Sequence, residues 1–396
     1  MKKTIVYLAV SSSLFGAAHA QTSVTLYGIV DQGLSYFSNA ATGDGSGHPV
    51  LRLVSGVMQQ SRFGLRGSED LGAGLKTIFV LENGFDASSG KLAYGGLLFG
   101  KRSFVGLSNN YGTVTLGRQY DTNVDFVGPF ESGTQWGGYT AAHPGDLDNL
   151  NNNNSINNSI KLVSNSVGGF SIGALIGLGG VAGDFARNRV WSLSAGYTGG
   201  SLALGAGYLY IQNPNTAFFG NGGSPAPTVA GVTGNNIATP VYSGYASAHA
   251  LRIIAAGGSY TMGPAVVGAT YSNTSFRDLG DTASGPNPRR LSGSASFNNA
   301  ELNARYQITA ALLAGISYDY TRGSALAGED PAKYHQFNAG IDYFLSKRTD
   351  LYLIAIYQKA SGMDSTGKRA VAAINGPSAS STDKQAMVRV GIRHKF

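Results

Sequence analysis

Between the strand-like stretches of this 396-residue chain, short and long connections alternate strictly from end to end. The short ones are 69–72, 109–112, 166–169, 198–201, 262–264, 309–310 and 346–349. The long ones lie near 38–50, 86–98, 119–157, 179–188, 213–249, 278–292, 323–333 and 361–384. Seven turns and eight loops make fifteen connections, hence sixteen antiparallel strands with all turns at one end and all loops at the other. Strands of about ten residues in that arrangement are the pattern of a transmembrane barrel that closes on itself and leaves no edge. The predicted fold class is all-β, a transmembrane antiparallel β-barrel of 16 strands.

Such a wall is apolar outside and polar inside, so its residues should alternate with period two. In the last strand Ala386, Val388, Val390 and Ile392 share one face, and Met387, Arg389, Gly391, Arg393 and Lys395 the other. In the second, Leu51, Leu53, Val57, Phe63 and Leu65 oppose Arg52, Gln60, Arg62 and Arg66. The stretch 351–358 is apolar on both parities; packing against another subunit, packing against a plug and chance all remain open. Tyr111, Phe170, Tyr197, Tyr260, Tyr306, Tyr343 and Phe396 stand beside the short turns, where an aromatic girdle meets a membrane–water interface. Ordinary strand propensity explains their number but not their position.

Residues 1–20 read as a secretory signal peptide: Lys2 and Lys3, an apolar stretch from Ile5 to Phe15, and Ala18-His19-Ala20 before the cut. The apolar run is too short to span a bilayer as a helix. Residues 21–396 then form one barrel domain, in a chain with no cysteine and 57 glycines. The basic residues are scattered singly in an exported chain, which excludes nucleic acid as a partner. His48, His143, His249, His335 and His394 each stand alone, with no nucleophile motif and no metal-spaced pair. Catalytic residues, metal ligands and a cofactor are therefore not expected.

The segment 119–160 is an electrostatic exception: it carries Asp121, Asp125, Glu131, Asp146 and Asp148 and no Lys or Arg, in a basic chain. A structureless stretch of that length inside a compact fold is either functional or disordered. It reads as an acidic loop held inside basic walls. The uncharged loop 213–249, rich in Gly, Pro, Asn and Thr, reads as a floppy connector.

Val24-Thr-Leu-Tyr-Gly-Ile-Val-Asp31 resembles the opening strand of the trimeric general porins of Gram-negative outer membranes, in their β-proteobacterial branch. The run from Ser61 to Lys76 is similar to that family's strand–turn–strand signature, and Gly112 to Asp121, Leu345 to Tyr352 and Val390 to Phe396 add further matches. The resemblance implies a general diffusion channel in the bacterial outer membrane for ions and small hydrophilic solutes, weakly anion-selective; a substrate-specific channel is the alternative. It implies that 119–160 folds into the barrel as a constriction loop, and that Arg62, Lys101 and the carboxylate Glu82 stand on the wall facing Asp121, Asp125 and Glu131. Lys101 and Arg102 are adjacent, so one faces the lumen, and the match favours Lys101. A third basic rung is absent, since Ser155-Ile-Asn-Asn-Ser159 has no arginine. The implied partners are two further copies in a homotrimer, outer-membrane lipid and lipopolysaccharide, and the barrel-assembly machinery, with terminal Phe396 as its assembly signal.

Overall fold

The structure, a computed structural model, describes residues 23–229, 232–326 and 328–396, so the expected signal peptide lies outside the described residues. The chain winds through an antiparallel barrel: β1 (Ser23–Ala41), β2 (Gly47–Ser55 and Arg62–Gly72), β3 (Leu75–Gly84), β4 (Arg102–Ser108), β5 (Gly112–Gln119), β6 (Ile156–Ser164), β7 (Phe170–Gly177) and β8 (Val190–Gly199). It continues through β9 (Leu202–Gln212), β10 (Ala248–Met262), β11 (Ala265–Leu279), β12 (Gly293–Thr309), β13 (Leu312–Gly323), β14 (Lys333–Phe344), β15 (Thr349–Ser361) and β16 (Lys384–Lys395). β2 is one strand broken at 56–61, because β1 pairs with both of its stretches. β1 also pairs with β16, from Ile29↔Lys395 to Phe37↔Met387, and this closes the sheet. Closure is completed by two 3.0 Å bonds between the backbones of Gly28 and Phe396, each N–H donating to the other's carbonyl. A closed sheet leaves no unpaired backbone toward lipid, the condition for spanning a membrane with strands.

Period two governs what each face buries. On β13 Ile316 is 65% exposed while its neighbour Ser317 is buried, and on β12 Leu302 is 68% exposed between buried Glu301 and Asn303. The turn-side aromatics lie on the outer surface: Tyr111, Phe170, Tyr260, Tyr306, Tyr343 and Phe396 are all exposed. β15 breaks the alternation for a specific reason. Its inward Tyr352, Ile354 and Ile356 pack with Phe37, Val57, Met58 and Ile374 under the loop 362–383. Of the readings left open for that strand, a plug from the chain's own loops is the one found.

The largest apolar cluster sits at the long-loop end, where Phe218, Ile237, Val241, Tyr242 and Tyr245 of the fifth long loop pack with Leu147 and with wall residues such as Leu251 and Phe276. The expectation of a floppy connector at 213–249 is thus corrected. Its scattered aromatics carry no period, yet they bury together, and the Tyr242 hydroxyl donates to the Gly145 carbonyl at 2.6 Å.

Candidate pore constriction

The segment between β5 and β6 is pinned to the inner wall by apolar and polar contacts. Its aromatics dock where the wall has no side chain: a Cβ built at Gly315 would lie 2.3 Å from the Trp136 ring, and one at Gly173 2.5 Å from Phe126. At the break in β2 the backbone N–H of Tyr139 donates to the Val57 carbonyl at 2.9 Å. Gly138, with φ +67°, makes the turn there, and a Cβ would lie 2.2 Å from that same carbonyl oxygen.

Most of the acids of this segment serve that docking. Asp121 caps the short helix α1 (Thr122–Phe126), accepting from the N–H groups of Asn123 and Val124, and also accepts from Asn149 Nδ2 at 2.8 Å. Burial pushes its carboxyl up to about 6. Asp125 pairs with Lys161, whose ammonium also donates to the Tyr120 carbonyl at 2.9 Å. Glu131 is buried and accepts from the His143 N–H at 3.1 Å. The imidazole of His143 stands 2.7 Å from Asp148 Oδ2 and 3.8 Å from Glu301 on β12. Glu301 in turn accepts from the N–H and hydroxyl of Ser132, at 2.8 and 2.7 Å.

An open cavity of about 750 Å³ runs between this segment and the wall of β2, β3 and β4. Arg62, Lys101, Arg102 and Glu82 line it on the wall side, joined by Arg52 and by Asp86 of the second long loop. On the loop side stand Gly133, Thr134, Tyr139, Asn151, Asn152 and Asn153, none of them charged. Glu82 is fully buried and bound by its neighbours: Arg102 Nη2 donates at 2.7 Å, the Tyr27 hydroxyl at 2.5 Å, and Arg62 Nε stands 3.8 Å away. Lys101 donates to Gln60 Oε1 at 3.3 Å, and both Lys101 and Arg102 stand over the Tyr120 ring, 5.4 and 5.3 Å from its centroid.

The geometry thus brings together Arg62, Lys101 and Glu82, three of the six residues expected at the constriction. Asp121 and Glu131 do not line this cavity: both are fully buried within the docked segment. Asp125 lines a second cavity beside Lys161 and Phe126. Sequence reasoning missed Arg102. Parity within β4 puts it inward opposite Glu82, whereas Lys101 lies one residue before the strand begins, so both reach the lumen. The signal was available, because adjacent residues need not face opposite ways where one of them precedes the strand.

Comparison with known proteins agrees with this architecture. The Gram-negative porin family matches residues 8–362. An outer membrane porin protein of Bordetella pertussis is 29% identical over the full length of both chains, and outer membrane porin protein 32 of Delftia acidovorans 31%, again over the full length of both. Among solved structures, the anion-selective porin from Comamonas acidovorans matches with a TM-score of 0.71 at 24% identity, covering 95% of this chain and all of that one. The trimer form of OmpT from Vibrio cholerae matches with a TM-score of 0.63 at 19% identity, covering 95% of this chain and 99% of that one. A closed sixteen-stranded wall, a lumen lined with charge and full-length relatives converge: this chain belongs to the Gram-negative porins of the bacterial outer membrane.

Proposed function

We propose that the barrel is a general diffusion channel for ions and small hydrophilic solutes with a weak preference for anions, constricted between the β2–β4 wall and the segment 119–160. The observation that carries the anion preference is the charge around the cavity. Arg52, Arg62, Lys101 and Arg102 stand against Glu82 and Asp86, opposite a loop face of asparagine and threonine. Rings of charged side chains set ion preference in a pore, and a cationic wall without an anionic counter-face lowers the barrier for anions. The relative described as anion-selective supports the same sign. The roles expected of Asp121 and Glu131 change accordingly: they anchor the loop rather than face the ions, and Asp125 acts beside Lys161 in the neighbouring cavity.

The channel works as a homotrimer, a state supported by the family and by the trimeric neighbour. Residues 1–20 direct export, and Phe396 serves the assembly machinery. The chain uses no cofactor and does no chemistry. The deciding measurement is the reversal potential of single channels in a salt gradient; a cation-directed potential in the native protein would overturn the anion preference. A substrate-specific channel is favoured by one feature, the Tyr94 and Tyr120 rings beside the cationic wall. It would show as saturation of the current with one solute, where the general channel stays linear.

A further inference from the structure

Three glutamines face the lumen side by side near the long-loop end: Gln336 of β14 stands opposite Gln358 of β15, and Gln358 opposite Gln385 of β16. All three are fully buried, so each amide needs its hydrogen-bond partners within the protein. Those partners form one chain. Gln336 Nε2 donates to the carbonyls of Ala141 and Ala142 in the docked segment, at 3.3 and 3.1 Å, and its Oε1 accepts from Gln358 Nε2 at 2.7 Å. Gln358 Oε1 accepts from the backbone N–H of Ala373 at 2.5 Å, and Gln385 Oε1 from that of Ile374 at 3.2 Å. Gln385 Nε2 donates to the Ser378 carbonyl at 3.0 Å. The chain of amides thus begins on the docked segment and ends on the last long loop, 362–383. That loop also touches the segment directly. Asn375 Nδ2 donates to the Tyr139 carbonyl at 3.0 Å, and Asn153 Nδ2 reaches Asn375 Oδ1 at 3.4 Å. Gly376, with φ +100°, lies so close that a Cβ there would meet the Tyr139 ring at 2.0 Å. Tyr139 and Asn153 both line the pore cavity.

We propose that the last long loop is a brace of the pore, with Gln336 and Gln358 as its positioning residues. It backs Tyr139 and Asn153 through Asn375 and Gly376, and is tied to Ala141 and Ala142 through the two glutamines. In this way it sets how far the docked segment reaches into the lumen. The inference rests on the reading of that segment as the constriction. A chain of buried amides has no slack, because cutting one link leaves a buried donor or acceptor unpaired. The two loops therefore keep one arrangement together and leave it together. The loop is also a unit in itself: the N–H of Ala372 donates to the Thr382 carbonyl at 2.9 Å, and the N–H of Ser380 to the Ala372 carbonyl at 2.8 Å. Its tip carries the exposed Gly376 and Ser378, so the width of the channel is set in part by a loop of the outer surface.

A deletion of residues 373–378 tests the brace, and the ends it leaves already meet in the bond between Ser380 and Ala372. It should raise single-channel conductance about 1.5-fold, by widening the narrowest section of a water-filled pore. Gln336→Met keeps the length of the side chain and removes its amide, and in the full-length loop it should give a smaller gain. In the shortened protein it should add nothing, because the chain it cuts is already gone; distant changes that do not share a link would add. Gln336→Asn, which stays polar but loses reach, serves where the methionine variant does not assemble. Chymotrypsin cleavage at Tyr139 should rise in step with conductance. If the loop merely obstructed the mouth, Gln336→Met would gain as much in the shortened protein as in the full one, and that result overturns the proposal. Unchanged conductance on shortening overturns it as well, and so does cleavage at Tyr139 equal to that of the native protein. A native protein that passes no ions, with cleavage rising as expected in the variants, overturns the channel reading and leaves the brace standing.

Discussion

His143 stands among acids from three elements. Its ring is fully buried, with Asp148 and Glu131 of its own segment 2.7 and 3.9 Å away, Glu301 of β12 at 3.8 Å, and Asp319 of β13 adding its charge. Asp146 lies in the same cluster, and the neutral Thr270 and Ser272 of β11 complete the surroundings. Burial alone would pull the imidazolium down, but Asp148, Glu131 and Asp319 outweigh it and hold it well above its usual range. Burial pushes Glu131 well up and, with the Asp148 charge beside it, raises Asp146 to about 7. The sign follows from linkage. A group whose bound-state value is raised favours docking while it stays protonated, and that support fades as pH rises through the raised value. Asp146 therefore gives up its support between its free value of about 4 and about 7, and His143 gives up its own further into alkali. Asp148, which against its burial is held below its usual range by His143, withdraws support only in strong acid. The docked segment should be tightest in mild acid and loosen progressively as pH rises through neutrality into alkali. Single-channel records should show larger and noisier conductance above neutrality, reversible on return. His143→Ala strands buried carboxylates without their cation, a loss of about 3–5 kcal/mol for a broken buried pair. It should expose Trp136 and Tyr139 to chymotrypsin at neutral pH. Equal cleavage of native and variant protein would sink the latch.

At the level of elements, the docked segment depends on glycines in the wall as much as on charge. Gly315 and Gly340 leave room for the Trp136 ring, which is buried. Gly315→Leu fills that room and, by the usual cost of overpacking of about 1–3 kcal/mol, should displace the segment without opening the barrel. The measurable result is a higher conductance with unchanged resistance of the folded barrel to heating in detergent; unchanged conductance would show that Trp136 does not hold the loop. This level also shows what the sequence could and could not disclose. Strand number and connection order were legible, because alternation and turn spacing are local properties. The anomalous acidity of 119–160 was legible as well, but its direction was not. Whether Asp121 and Glu131 face ions or the wall depends on partners such as Asn149 and His143, brought together by a path with no period. The packing of 213–249 was hidden for the same reason, since Tyr242 and Tyr245 pack on the ring of Phe276, which the chain supplies from β11, beyond the loop.

For the whole molecule, closure and selectivity are the properties to test. Phe396 joins the last strand to the first through its paired bonds with Gly28, and its ring lies over that glycine, so close that a Cβ there would meet it at 2.3 Å. Deleting Phe396 removes two hydrogen bonds of about 1 kcal/mol each and a half-exposed ring worth about 1 kcal/mol more. That sum cannot unfold a barrel of this size, so a sharp fall in outer-membrane level with normal export would mark recognition during assembly. Unchanged level would leave Phe396 a girdle residue only.

Selectivity separates the two groups of charge most directly. Charges within a Debye length of about 8 Å at physiological salt still act on passing ions. Arg62→Glu with Lys101→Glu turns two cations of the cavity wall into acids, and should carry the reversal potential from the anion side toward cations. The shift should be larger in dilute salt than in concentrated salt, because screening weakens it. Arg102→Gln should move it in the same direction and also release Glu82, whose carboxylate it holds at 2.7 Å, so its effect should exceed that of losing one charge. Neutralising Asp121 and Glu131 should leave the potential within error of the native value while loosening the docked segment, because both acids lie buried away from the cavity. If those two substitutions instead moved the potential strongly toward anions with conductance unchanged, the acids would face the ions after all. The cationic wall would then be one half of a two-sided filter rather than the whole of it.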